Sequence, residues 1–299
     1  MRELVSILDR AGSSNILFVL PGLALFAAFA CLPILAALGM SLTDWNGIAA
    51  PVFVGLQNYF ELFADDLFYV ALGNNGRFML FYCVLPMVIG IVLAAVVSNS
   101  APKERLVLRV LFFLPYIMPT AVIGIIFQWL YNPVFGPFNQ FLKAVGLRSM
   151  ALPWLGDFNF VLPAVGAVAT WYFFGFCMVV FLTGIQRIDP SLGEAAKMDG
   201  ATARQSFVSI TMPLLLPEIR VLLLLTVIAS IKSFNLIFTM TRGGPSNATL
   251  VPNMYMYELG FLLNRFGYAA AVAIVGAILV VGVNLAIHQV MTRLDKVSQ

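Results

Sequence analysis

Charge is what this sequence has least of. Only 10% of its 299 residues are Asp, Glu, Lys or Arg, where an ordinary soluble domain carries roughly a quarter. With 61% hydrophobic residues, lipid rather than water must solvate much of the chain. The net charge of +3 is too small to point to nucleic acid. The chain has one His and three Cys, and their scatter along the sequence does not suggest a metal site. Cys31, Cys83 and Cys177 all fall within apolar runs, so they read as small buried hydrophobes rather than a disulfide framework. No GxxxxGK[ST] phosphate loop is present, so ATP hydrolysis would have to belong to another chain. No Asp or Glu sits near the centre of a long apolar run, which argues against an ion-coupled secondary carrier. No segment alternates with period two, which excludes a membrane β-barrel. A membrane-embedded enzyme would need a metal cluster, or a nucleophile with a base, and neither is supplied; no catalytic residue is assigned.

What the sequence has is long apolar runs. A hydrocarbon core needs about 20 such residues in helix. Six stretches qualify, near 16–42, 78–98, 106–131, 159–185, 214–239 and 267–291, so the expected fold is an all-α membrane protein of about six transmembrane helices. The first run is too long for a signal peptide and has no cleavage-site pattern behind it. Residues 1–15 read as an interfacial segment and 16–299 as the transmembrane domain. Lys and Arg set the orientation. Ten fall on the side of the N-terminus (Arg2, Arg10, Lys103, Arg105, Arg109, Arg187, Lys197, Arg204, Arg293, Lys296) and five on the other (Arg77, Lys143, Arg148, Arg242, Arg265). Both termini and the 185–213 connection are therefore expected in the cytoplasm.

That connection has helix punctuation. Ser191 through Glu194 has a capping-box pattern, with Pro190 just ahead of it, and Gly200 can take the left-handed conformation that ends a helix. Phe207, Ile210 and Leu214 then recur at helical spacing toward Pro217. On the fifth run, Thr226, Ser230 and Ser233 are spaced i, i+4, i+7, which places them on one helix face, roughly 13 to 24 Å past Pro217. Such hydroxyls either line a polar pathway or pack between helices. Trp171, Phe173 and Phe176 crowd the fourth run, where rings can stack on the C–H faces of a sugar or simply pack. Lys232 points away from the hydroxyl face and reads as structural.

Glu194-Ala195-Ala196, then Asp199-Gly200-Ala201, then Ile210 and Pro213, resemble the "EAA" loop of permeases in binding-protein-dependent ATP-binding-cassette (ABC) importers. The likeness to the carbohydrate-uptake, maltose-type branch extends over most of the chain from residue 16. It includes Trp171, Gly175, Gly184 and Ile188-Asp189-Pro190; Thr241-Arg242-Gly243-Gly244-Pro245; Gly55-Leu56-Gln57-Asn58-Tyr59; and Gly267-Tyr268-Ala269-Ala270-Ala271. The resemblance implies a type I importer permease fold. It also implies that Ser191, Glu194, Ala195, Ala196, Asp199, Gly200 and Ala201 couple to an ATPase, with the helix opened by Ser191 as a lever. The partners so implied are a second homologous permease, two ATPase subunits holding ATP and Mg, an extracytoplasmic solute-binding protein and membrane lipid, in a bacterial inner membrane; this chain needs no cofactor. The binding protein would be received by the outer loops, above all around Trp45–Tyr69. The sugar-contacting positions of the branch fall on Thr226, Ser230 and Ser233, and on Ala169, Phe173 and Phe176. At these last three the chain departs from the branch's polar, small and phenolic residues. A polyol, glycerophosphate or sugar acid is the alternative cargo.

Overall fold

A computed structural model describes residues 13–297, with side chains from 18 to 292. Most of the expected interfacial segment, residues 1–12, lies outside the described residues, and Ser13 already begins a helix. Four unbroken helices are long and apolar enough to cross a membrane: Phe18–Ser41, Asp66–Ser98, Val161–Ile185 and Phe266–Thr292. Two bent pairs pass the same test, Pro102–Ile117 with Thr120–Leu130 at 92° and Ala203–Leu214 with Leu216–Ile231 at 65°. Counting each pair as one gives the six spans.

Three boundaries differ from the sequence reading. The second span starts at Asp66, twelve residues before 78, because Asp65 accepts the Leu67 N–H at 2.9 Å as N-cap and polar Asn74 and Asn75 are carried inside the helix. The third run is broken at Met118–Pro119, where Met118 is extended, as the residue ahead of a proline favours. The fifth helix stops at Ile231 and resumes as a short helix, Asn235–Met240. Ser233 is therefore off the helix that holds Thr226 and Ser230, and Lys232 is the exposed residue at the break.

By their contacts the described residues divide into two compact units, those up to 64 with 256–275 and 65–255 with those from 276 on. In the first unit, Thr43–Asp44 pairs antiparallel with Val52–Phe53. Asn58 donates to the carbonyls of Ser41 and Thr43, both at 2.9 Å, and the Tyr59 and Ser41 hydroxyls are 2.6 Å apart. A Cβ at Gly267 would lie 1.8 Å from the Thr43 carbonyl oxygen, so only glycine fits. The Gly55–Tyr59 and Gly267–Ala271 motifs are thus structural ties. Arg265 closes the unit on Glu61 at 2.8 Å.

The second unit is a bundle around the fourth span, most of whose side chains are buried. Its neighbours approach through glycines. A Cβ at Gly90 of the second span would meet the Cys177 Cβ at 2.7 Å and the Met178 nitrogen at 2.8 Å. A Cβ at Gly175 would meet the Phe112 carbonyl oxygen of the third span at 1.8 Å. The second span also carries a wide turn, Leu80–Val84, in which the Leu85 N–H reaches back to Leu80 O. The next N–H in that series would be that of Pro86, which has none, so the Phe81 carbonyl loses its helical donor. Thr170 of the fourth span donates its hydroxyl there at 2.7 Å. A polar group orphaned in lipid costs several kcal/mol, and here a neighbouring helix satisfies it.

Candidate functional site

The candidate residues fall mainly in two regions, at opposite ends of the fifth span. The first is the connection from Ile185 to Leu216. Its two ends are held together, because Gly184 leaves room for Leu215 and Glu218, whose atoms would lie 2.6 and 2.8 Å from an added Cβ. Arg187 meets the Glu218 carboxylate at 3.5 Å. Between these ends stands the helix Pro190–Met198. Its N-cap is Asp189, not Ser191: the Asp189 carboxylate accepts the Ser191 N–H at 2.9 Å, and Pro190 takes the first helical position, where a missing N–H costs nothing. The sequence pattern failed there because proline placed the start two residues earlier. That backbone hydrogen bond from Ser191 holds the Asp189 carboxyl below the usual carboxylate range.

The helix ends as the sequence predicts. Gly200 has φ +77°, the Gly200 N–H donates to Lys197 O at 3.0 Å and the Ala201 N–H to Ala196 O at 2.9 Å, the paired bonds of a Schellman stop. Thr202 and Gln205 then cap the next helix reciprocally: the Thr202 N–H donates to the Gln205 side chain at 2.8 Å, and the Gln205 N–H to Thr202 Oγ1 at 3.3 Å.

No residue of Pro190–Met198 is buried. Ser191, Glu194, Ala195 and Met198 are exposed at i, i+3, i+4, i+7 and form one outward stripe. Asp199 and Gly200 are exposed beyond them. Ala196 and Ala201 are half-buried on the inner side, where Gly193, Lys197 and Ala201 border a cleft of about 570 Å³. Met198 is 88% exposed, an unpartnered apolar side chain the sequence reading passed over.

The second region lies where the fifth helix breaks. Thr226 is fully buried; its hydroxyl donates to Leu222 O at 2.7 Å and lies 2.9 Å from Cys83 Sγ of the second span. Thr226 is therefore satisfied by helix packing within the chain. The hydroxyls of Ser230 and Ser233 are buried with no hydrogen-bond partner, and the Ser230 carbonyl accepts from Asn75 Nδ2 at 3.1 Å. Asn75 is a residue that sequence reasoning missed, although an Asn pair in an apolar run was a signal that could have found it.

Phe173 and Phe176 come together with aromatics of two other spans. Phe176 stacks on Tyr116 at 4.7 Å, and Phe173 lies 5.0 Å from Tyr82 and 5.4 Å from Tyr116. Trp171 does not join them. It sits against Phe127 at 5.3 Å on another face of the helix. Ala169 is fully buried.

Beyond the break, the Thr241–Pro245 motif forms a turn whose hydroxyls close on themselves, Thr241 to Thr249 at 2.8 Å. Asn74 pins this turn to the second span by donating to Asn247 O at 2.9 Å and Leu250 O at 3.0 Å. Beside it opens a cavity of about 1330 Å³ whose lining includes Asn74, Arg77 and Asn159.

Residues 87–297 match the family model described as the inner membrane component of binding-protein-dependent transport systems. The chain is 34% identical over 271 residues to a probable ABC transporter permease, YurN, of Bacillus subtilis, covering 90% of this chain and 92% of that one. It is 31% identical to the lactose transport permease LacF of Rhizobium radiobacter, over 88% of this chain and 89% of that one. A crystal structure of a bacterial ABC transporter that imports the acidic polysaccharide alginate aligns with TM-score 0.82 at 23% identity, over 97% of this chain and 99% of that one. With its six spans, its bent fifth helix and the finished helix of its 185–213 connection, the chain belongs to the family of inner-membrane components of binding-protein-dependent transport systems.

Proposed function

We propose that this chain is the permease of an ATP-driven importer of a sugar or oligosaccharide, and that it supplies half of the translocation pathway. The observation that carries the reading is the outward stripe of Ser191, Glu194, Ala195 and Met198 on a helix with no buried residue. A helix whose outer face is covered by nothing in its own chain, and presents a carboxylate beside a bare methionine, fits a cleft on another subunit. That subunit is a cytoplasmic ATPase, which holds ATP and Mg; two ATPases, a second similar permease and a solute-binding protein complete the importer. Both termini are cytoplasmic, in keeping with the ten-to-five distribution of Lys and Arg.

The bonds at the base of the loop support a lever. Arg187 and Glu218 join its two ends at 3.5 Å, so a displacement of the helix passes to both the fourth and fifth spans, as alternating access between two states requires. The unpartnered hydroxyls of Ser230 and Ser233 are the groups this chain offers to a polyhydroxylated solute. Trp171, Phe173 and Phe176 of the fourth span belong to the same proposed pathway set, Phe173 and Phe176 against Tyr116 and Trp171 on another face against Phe127. A sugar acid is the second reading, for which Arg77 supplies a cation at the edge of a cavity that Asp66 also borders.

The test is to purify a tagged copy from its native membrane and measure the ATPase that accompanies it. ATP hydrolysis that rises with a sugar-loaded binding protein supports the reading. Recovery without any ATPase would remove it.

A further inference from the structure

The chain between the third and fourth spans carries an apolar surface that neither the coupling loop nor the transport pathway uses. The helix Pro137–Ala144 is amphipathic: Phe138, Phe141 and the following Val145 recur at i, i+3, i+7, while Gln140 and Lys143 take the other side. The apolar side faces outward. Phe141 is 63% and Val145 52% exposed, and flanking Val134, Phe135 and Leu147 are exposed as well. A contiguous bare apolar patch of this kind marks a contact with lipid or with another chain.

The depth of the helix is fixed by its own rings. Phe138 lies 5.5 Å from Tyr131, the residue that follows the last turn of the third span, and 5.4 Å from Trp154. Trp154 lies 6.2 Å from Phe160, at the start of the fourth span, and its N–H donates to Asn139 at 2.7 Å. The helix is thus tied within a ring's width of the ends of two spans, at the interface opposite the coupling loop. Its apolar patch is also continuous with an exposed apolar stripe of the third span. Val122, Ile125, Ile126 and Trp129 are exposed along one side of Thr120–Leu130, and Trp129 touches Phe135 at 6.2 Å.

We infer that residues 134–147 form an interfacial anchor that lies in the membrane surface, with Phe141 and Val145 in the acyl boundary, Phe138 holding the helix to the spans and Lys143 at the phosphate level. An amphipathic helix with an apolar face of aromatic and aliphatic side chains and a cation on its polar side takes this position in the interface. The anchor holds the ends of the third and fourth spans at fixed depth, and it is not part of the surface that receives the binding protein.

The experiment uses the assembled importer in phosphatidylethanolamine and phosphatidylglycerol vesicles. A Phe141→Cys or Gln140→Cys substitution is labelled with a small fluorophore in a Cys31→Ser background, since Cys83 and Cys177 are buried. Phospholipids with brominated acyl chains should quench the label at 141 and leave the label at 140 bright, and iodide should do the reverse. Loaded binding protein should change neither. If iodide quenches the label at 141, if neither agent reaches it, or if binding protein abolishes its quenching by lipid, the anchor is refuted. The last two results would assign the patch to a protein partner.

Discussion

Replacing Gly175 by alanine tests how tightly the third and fourth spans are joined. The added methyl would stand 1.8 Å from the Phe112 carbonyl oxygen and 2.6 Å from its carbon. Ordinary contact lies near 3.5 Å, so the third span would have to withdraw by roughly 1.5 Å. The obstacle is backbone and has no rotamer to change. Alanine gains about 1 kcal/mol over glycine in helix propensity, and overpacking costs typically 1–3 kcal/mol, occasionally more; with a rigid obstacle the upper end applies. The net effect is a loss of about 2 kcal/mol. Gly73 provides the control, because a Cβ there meets nothing within 4 Å and the same substitution should stabilise by about 0.5–1 kcal/mol. Multi-subunit membrane proteins unfold irreversibly, so the assay is the half-life of the purified complex at a fixed elevated temperature. Gly175→Ala should shorten it severalfold, and Gly73→Ala should preserve or lengthen it. Equal half-lives for the two variants would refute the close approach of the spans.

Gly200→Val places a β-branched residue at φ +77°, which costs roughly 1–2 kcal/mol; the chain should still reach the membrane, with sugar-stimulated ATPase uncoupled from uptake, and normal uptake would count against the lever. Ser230→Phe should block uptake while the complex still assembles, because a ring at this fully buried position must displace its neighbours in the proposed pathway; unchanged uptake would take the fifth span out of the pathway. Asn74→Ala removes the side-chain donor to the carbonyls of Asn247 and Leu250, the first of which keeps the Leu250 N–H at 3.1 Å, at about 0.5–1.5 kcal/mol per bond lost; limited proteolysis should cut the 241–250 turn faster than in the parent, and an equal rate would show that Asn74 does not hold it.

Much of this architecture was legible because lipid leaves few options. Apolar run length alone gives six spans, and the left-handed glycine at 200 and the glycine-mediated approaches leave local marks. The missed features are those decided by tertiary partners. Asn74 and Asn75 looked too polar to be inside a span, yet each finds a carbonyl on a distant segment. The break after Ile231 leaves no proline or glycine as a signal. It moves Ser233 off the helical face on which counting placed it. Thr226 looked equivalent to Ser230 by spacing, and only the carbonyl of Leu222 and the sulfur of Cys83 distinguish a satisfied packing residue from an unpartnered one. Trp171 and Phe173 are two residues apart in one helix, and the helical rotation between them separates their neighbours.

The ends of Pro190–Met198 bear on the energetics of assembly. Asp189 satisfies the first turn and the Gly200–Ala201 amides satisfy the last, so the helix is complete before any subunit reaches it. A segment that folded on contact would spend part of its interaction energy on ordering itself. Here that entropy is already lost when the chain folds, so in the proposed docking the contacts made by the exposed stripe would go into association alone. Encounter with a partner is then a collision of two rigid surfaces, whose rate is set by diffusion and orientation rather than by a folding step.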